Sequence, residues 1–199
     1  MKIVKDEVIN EIIIEKSRFI TYLKRVDSVS EADNYLATIK KKHYDATHHC
    51  FAFIIDGVQR SNDNGEPSGT AGVPILDVLK KNDINNTICI VVRYFGGIKL
   101  GAGGLVRAYS SSSSEALKKA SFTTKKEFKS YELIIDYPTY NQIIYLIKND
   151  IIKNDFAHNI TLLVDIDYDK KIEKIKDISL GNASIKYLET IYKDVLIKS

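Results

Sequence analysis

A glycine-rich segment, residues 93–107, combines the residue types and the spacing that bind anions. It reads Arg-Tyr-Phe-Gly-Gly-Ile-Lys-Leu-Gly-Ala-Gly-Gly-Leu-Val-Arg and leads from an apolar stretch into a helical pattern. Such a turn exposes backbone N–H groups, and the helix dipole adds positive potential at the same place. The predicted phosphate- or anion-binding residues are three basic side chains and five glycines: Arg93, Gly96, Gly97, Lys99, Gly101, Gly103, Gly104 and Arg107.

The common nucleotide-binding fingerprints are incomplete in this segment. The chain has no G-x-x-x-x-G-K-[ST] sequence, and Val106 stands where the third glycine of G-x-G-x-x-G belongs. The expected anion is therefore a phosphate of nucleic acid or of a small metabolite rather than a dinucleotide. The alternative is a purely structural glycine-rich turn.

The segment Asp45–Cys50 contains two histidines and a cysteine, which are types that bind metals. Adjacent residues of a strand point to opposite faces, so His48 and His49 cannot easily share one ion. A divalent metal would need one of them together with Asp63 or Glu66. The alternative is the entrance to a strand, with one histidine hydrogen-bonded in the core and the other at the surface. No cofactor is predicted, and no metal ligand is assigned.

The loop that contains Asp63 and Glu66 offers two carboxylates beside a predicted helix start. Together with His48 and His49 they are the candidate catalytic residues, since such groups act as general bases or hold a divalent ion. The alternative is a surface loop that caps the next helix through Ser68 or Thr70.

The elements that position these segments follow from periodicity and capping signals. Ser28 and Glu31 form a capping box before a helix, and Pro74 fits only the first turn of another helix. The prediction for the first half is two short strands around Lys16-Ser17, a helix at about 29–42, a strand at 50–55, a loop at 58–69, a helix to about Lys81, a central strand at 87–94 and a helix over about 105–120. We interpret the serines of residues 110–114 as small residues that let this helix pack closely, rather than as a linker.

The second half predicts the order β-α-β-β-α-β, which is the ferredoxin-like plan. Polar residues 123–130 mark the expected boundary, giving domains 1–128 and 129–199. The fold class is thus α+β with two domains. Nine of the ten glycines lie between Gly57 and Gly104, and residues 1–128 carry a net charge of +4 against −1 for the rest, so function is expected in the first domain.

Composition excludes several classes of protein. With 44% hydrophobic and 28% charged residues the chain is globular, and its net charge of +3 does not by itself indicate nucleic acid. Cys50 and Cys89 are too few for a disulfide framework, which favours a cytoplasmic setting. The apolar runs are too short for a signal peptide or a membrane span, so a membrane partner is not expected.

Four segments together resemble the YigZ/IMPACT family, in its bacterial two-domain form. They are Lys16–Phe19, Asp45–Cys50, Asp63–Gly72 and above all Val91–Tyr109. The resemblance implies an N-terminal domain of the ribosomal protein S5 domain 2-like type and a C-terminal domain like modules of translation elongation factors. Eukaryotic members bind a ribosome-associated activator of a stress-response kinase and modulate translation initiation.

Three functional hypotheses remain open from the sequence. The favoured one is a translation-associated regulatory or binding protein that contacts the ribosome or RNA through the basic glycine-rich segment. The second is an enzyme that acts on a phosphorylated small molecule or nucleotide, although no nucleophile–base pair is legible. The third is a protein–protein adaptor in stress-linked control of translation. The sequence does not indicate an oligomeric state.

Overall fold

The computed structural model describes residues 1–197, which form two compact units. Among the described residues, the first unit comprises Met1–Thr124 with Leu196 and Ile197, and the second comprises Lys125–Val195. The division falls four residues before the predicted position, after residue 124 rather than 128. Over the described residues the structure has five helices and two sheets. None of these helices is both long enough and apolar enough to cross a membrane.

The first unit is built on a five-stranded antiparallel sheet with the order β2-β3-β6-β4-β5. Its strands are β1 Ile3–Val4 (outside this sheet), β2 Val8–Ile14, β3 Ser17–Arg25, β4 His48–Ile55, β5 Val58–Asn62 and β6 Thr87–Tyr94. Its helices are α1 Val29–Lys42, α2 Gly72–Lys81 and α3 Gly101–Lys118. The predictions of α1, α2 and β6 are confirmed, and β6 is the middle strand because its two faces are both apolar.

Each face of this sheet carries its own apolar core. Helices α2 and α3 cover one face, where Phe19, Leu79 and Tyr109 are buried. Helix α1 covers the other face and buries Tyr35 and Leu36 against the strands. Because helices pack on both faces of the sheet, β6 is buried in the middle of the unit. The glycine-rich segment begins at the end of this buried strand.

Two local predictions for the first unit need correction, and a third is confirmed. The predicted loop 58–69 begins as strand β5, because Asp56 and Gly57 adopt positive φ angles and close a hairpin with β4. Helix α3 begins at Gly101 rather than at Leu105, so three glycines form its first turn. The serine run is part of α3, as expected, with Ser112 and Ser113 fully buried.

The second unit has the element order β-α-β-β-α-β that the sequence predicts. Its elements are β7 Phe122–Ile135, α4 Tyr137–Ile147, β8 Ile151–Phe156, β9 Ile160–Ile166, α5 Lys170–Ile178 and β10 Ser184–Leu196. Strand β9 lies between β7 and β8, and β10 pairs with β7. One face of this sheet forms a core with the two helices around Leu133, Ile143 and Leu162. The polar residues 123–130 are part of strand β7, where Thr123 pairs with Ile3 of β1 and Lys129 and Ser130 pair with β9.

Candidate functional site

An open groove lies at the start of α3, beside the glycine-rich segment. It has a volume of about 500 Å³. Its lining residues come from the end of β2, the turn after it, the glycine-rich segment and α3: Ile14, Glu15, Ile98, Lys99, Leu100, Gly104, Arg107, Ala108 and Ser111. The groove therefore brings together two of the predicted basic residues and one of the predicted glycines.

The electrostatics of this groove favour an anion. Across residues 1–197, no side chain caps the N-terminus of α3, so its first backbone N–H groups keep their partial positive charge. Lys99 and Arg107 are exposed, and neither forms an ion pair with another described residue. Glu15 is the acidic residue of the lining, and its side chain is exposed. With two basic residues, Lys99 and Arg107, against one acidic residue, the lining has a net charge of +1. Leu100 and Gly104 line the groove, whereas Gly101, Ala102 and Gly103, which carry the free amides, lie next to it in the chain. The groove and the adjacent helix start therefore present positive charge to an anion.

The glycines of the segment divide into two groups with different roles. A Cβ on Gly96 would lie 2.0 Å from the carbonyl carbon of Lys16, and the Gly96 N–H donates to Ser17 Oγ at 3.2 Å. Gly97 has a φ of +85°. These two glycines make a tight turn against the β2–β3 hairpin, so the prediction that the Gly96 amide faces an anion is wrong. Gly101, Gly103 and Gly104 instead form the first turn of α3.

Arg93 does not belong to the basic surface, which corrects the prediction that it binds an anion. Its side chain is only 5% exposed, and its Nη1 lies 2.6 Å from Glu66 Oε1. Its Nη2 donates to Ser17 Oγ at 3.3 Å. The guanidinium also faces the rings of Phe19 and Phe95, at 5.3 and 5.5 Å. A buried guanidinium with a carboxylate partner is neutralised locally and has no free face for a phosphate.

Glu66 is the centre of a buried polar cluster rather than an exposed general base. Its Oε1 accepts from Arg93 and, at 2.7 Å, from the hydroxyl of Tyr109 on α3. Its Oε2 lies 3.7 Å from Nε2 of His48. Burial, the neighbouring Cys50 and the Glu66 carboxylate all raise the pKa of Tyr109, so its hydroxyl stays protonated and donates. Burial also raises the pKa of Cys50 to about 12, which makes this thiol a poor nucleophile.

Asp63 caps the N-terminus of helix α2, although it lies nine residues before the first residue of that helix. Its Oδ1 accepts from the N–H groups of Ala71 and Gly72 at 2.9 and 2.8 Å, and its Oδ2 accepts from Gly69 at 2.8 Å. Burial alone would raise the pKa of this carboxyl, but the three backbone donors lower it below its ordinary value. The loop thus caps α2 through Asp63, and the alternative expectation that Ser68 or Thr70 would be the cap is wrong.

The two histidines point to different partners, as the alternation of strand residues requires. His48 Nδ1 donates to the carbonyl oxygen of Asn64 at 2.9 Å, and His49 Nε2 donates to that of His43 at the same distance. Among the described residues, no three His, Cys, Asp or Glu side chains are grouped so that they could hold a metal ion. The structure thus gives structural contacts to all four candidate catalytic residues.

Two members of the buried cluster were missed by sequence reasoning as parts of one site. Ser17 accepts from both Arg93 and Gly96, and Tyr109 connects α3 to Glu66. Ser17 and Tyr109 are 92 positions apart in the chain. Both residues lie in segments that carry the family resemblance, but by residue type Ser17 is a polar residue in a strand and Tyr109 is one position on the apolar face of a helix.

Comparisons with known proteins agree on one family. Residues 15–117 match the family described as Impact N-terminal domain. The IMPACT family member YvyE of Bacillus subtilis is 45% identical over 173 residues, covering 85% of this chain and 76% of that protein. The IMPACT family member YigZ of Escherichia coli is 35% identical, covering 88% and 92%. A solved structure titled as a hypothetical protein is 32% identical, with a TM-score of 0.62, and covers 94% of this chain and 97% of that one. On these matches, this chain is a member of the IMPACT family.

Proposed function

We propose that this protein is a translation-associated binding protein that contacts RNA, including ribosomal RNA, through the groove at the start of α3. The observation that carries the proposal is the uncapped N-terminus of α3, flanked by the exposed charges of Lys99 and Arg107. Family membership supports the translational context. The groove supports the chemistry of the contact, which is the binding of a backbone phosphate.

Phosphate binding by the groove has three components that act together. The first-turn amides of α3 donate hydrogen bonds, and glycine at positions 101, 103 and 104 leaves them accessible to a bulky group. Lys99 lies just before the helix, and Arg107 lies two turns further along. The spread of positive charge suits a chain of phosphates better than one isolated phosphate, because each cation can neutralise a different phosphate.

The test measures the salt dependence of RNA binding by fluorescence anisotropy with a labelled single-stranded RNA. For single-stranded nucleic acid, each phosphate contact contributes about 0.7 to the slope of log K against log salt. The slope is negative, and the variant Lys99→Ala/Arg107→Ala should reduce its magnitude by about 1.4. The same variant should weaken binding at low salt. The variant Lys40→Ala/Lys41→Ala removes the same net charge from the exposed end of α1 and serves as the matched control.

The outcome separates a local site from general electrostatic attraction. If both double variants change the slope equally, the groove is not the contact surface. If the wild-type protein binds RNA with no dependence on salt, phosphate contact itself is refuted. Co-sedimentation with ribosomes, with and without nuclease, then asks whether the same two residues act in the assembled particle.

No observation specifically favours the enzymatic alternative. His48, His49, Asp63 and Glu66 each hold neighbouring elements together through hydrogen bonds or an ion pair. The protein–protein adaptor remains a separate hypothesis, which a partner that resists nuclease treatment would support.

We further propose that the first unit is S5 domain 2-like, that the second is ferredoxin-like and that the protein is cytoplasmic. The sheet of the second unit, with β9 between β7 and β8 and with β10 beside β7, supports a ferredoxin-like domain. The mixed sheet-and-helix layers of the first unit support the S5 domain 2-like assignment. Buried, unpaired thiols at Cys50 and Cys89 are in keeping with a cytoplasmic setting.

A further inference from the structure

Strand β8 has a free edge in the sheet of the second unit. Among the described residues it pairs with β9 and with no other strand. Its pairing is regular from Lys153 to Phe156, opposite Leu163 to Ile160. Unpaired N–H and C=O groups along such an edge are a template for another strand, and natural proteins usually protect them.

Lys153 and the irregularity at Ile152 are features that limit pairing at an edge, but the side chains of the regular part of β8, Lys153–Phe156, complement those of a second copy. An antiparallel copy placed with Asn154 opposite Asn154 brings Lys153 opposite Asp155 of the second copy, and Asp155 opposite its Lys153. Lys153 and Asp155 are exposed, and neither forms an ion pair with another described residue. Opposite charges that face each other across an antiparallel pair are stabilising, whereas like charges are destabilising.

Exposed apolar groups flank the same edge. Phe156 ends the regular part of the strand and is 49% exposed, and Ile152, at the irregularity between Ile151 and Lys153, is 53% exposed. Phe156 packs edge-on against Tyr140 of α4, with ring centroids 5.5 Å apart, so one side of its ring is already held in place. Tyr137 and Tyr145 of α4 are 46% and 66% exposed and extend the apolar surface of this helix.

We propose that β8 is a self-association surface that takes a second copy of this chain, with the two β8 strands antiparallel about a two-fold axis at Asn154. Such a contact is isologous: each attractive pair occurs twice, and the two sheets become continuous. A six-residue edge offers a small interface, so the complex belongs to the weak class that forms at high protein concentration. This surface is in the second unit and is independent of the proposed RNA contact.

Sedimentation equilibrium of the full chain tests the proposal through charge reversal. Between about 10 µM and about 1 mM, the average mass of the wild-type protein should rise from that of one chain towards twice that value. Asp155→Lys places a lysine opposite Lys153 of the other copy. Two attractive pairs then become repulsive, so the dissociation constant should rise by about tenfold or more. Lys153→Asp/Asp155→Lys restores opposite charges and should restore the wild-type dissociation constant.

The double variant is the decisive arm, because it differs from the single variant by one exposed residue and has the same composition as the wild-type protein at this edge. A wild-type protein that remains one chain at about 1 mM overturns the proposal. Self-association that survives Asp155→Lys places the contact elsewhere and also overturns it. Failure of the double variant to recover the wild-type dissociation constant overturns the proposed register, because that register rests on the Lys153–Asp155 pairing.

Discussion

Loss of the Glu66 carboxylate should strongly destabilise the first unit, because Arg93 would be left as an unpaired buried charge. The two side chains are 4% and 5% exposed and their polar atoms are 2.6 Å apart. Breaking such a pair by removing one partner costs about 3–5 kcal/mol. For Glu66→Ala we therefore expect a loss of free energy of unfolding in this range, with the largest part due to the stranded guanidinium.

A compensating variant separates the stranded charge from the loss of packing. When both partners of a buried pair become apolar residues of similar volume, stability is often unchanged or improved. Tyr109 would then lose the acceptor of its hydroxyl, at a cost of about 1–3 kcal/mol, so it must change as well. Glu66→Leu/Arg93→Met/Tyr109→Phe should accordingly be more stable than Glu66→Ala, although it changes three residues instead of one.

Urea unfolding followed by far-ultraviolet circular dichroism measures these differences, and hydrogen-exchange mass spectrometry assigns them to residues 1–124. Glu115→Ala is the matched control, because Glu115 pairs with Lys118 on the exposed side of α3 and such pairs contribute about 0–1 kcal/mol. A Glu66→Ala protein within about 1 kcal/mol of the wild type would refute the reasoning, since it would mean that water or a rearranged partner stabilises Arg93. A triple variant less stable than Glu66→Ala would refute the claim that the unpaired charge dominates.

Two further predictions concern a close backbone contact and a titrating histidine. Gly96→Ala should destabilise the protein by about 2 kcal/mol or more, because its Cβ would overlap the Lys16 carbonyl carbon. Gly97→Ala, which has open space but a φ of +85°, should cost about 1 kcal/mol, and equal losses in urea unfolding would contradict the steric argument. The pKa of His43 is lowered, chiefly by burial, and its two ring nitrogens bond the hydroxyls of Tyr22 and Tyr94. The unfolded chain therefore binds a proton first as the pH falls below about 6.5, so stability should decrease from there down to the folded-state pKa. His43→Gln should flatten this part of the stability–pH curve, and an unchanged curve would show that His43 is not responsible.

The sequence predicts those elements whose signals are local. The capping box before α1 is one example: Glu31 N–H donates to Ser28 Oγ, and the Glu31 carboxylate accepts from the Asp27 N–H. Strand β6 is another, because an apolar run with β-branched residues on both faces fits a central strand and little else. In both cases the residues that decide the structure lie within a few positions of one another.

The parts that could not be predicted depend on partners distant in the sequence. Arg93 is the penultimate residue of the apolar strand β6 and resembles a basic residue at a strand end, yet its carboxylate partner is 27 positions away in a loop. Asp63 looks like a ligand in a polar loop, but it accepts from three amides six to nine residues later. A charged residue has the same identity in the sequence whether or not it has a partner in the structure. Its burial and its partner decide whether it binds a ligand or stabilises the fold, and a single sequence shows neither.

The glycine-rich segment forms a tight turn at Gly96–Gly97 and then the first turn of α3. Both the tight turn and helix α3 are in contact with the buried cluster around Glu66. Gly96 and Arg93 share Ser17 as a partner, which fixes the turn against the β2–β3 hairpin. Tyr109 ties α3 to Glu66 eight residues after Gly101, or about 12 Å along the helix at 1.5 Å per residue. A helix held near its start by the turn and two turns later by a buried hydrogen bond cannot tilt freely, so its N-terminal amides keep one direction. The buried charges therefore position the start of α3, whereas Lys99 and Arg107 provide the charge that a phosphate would meet.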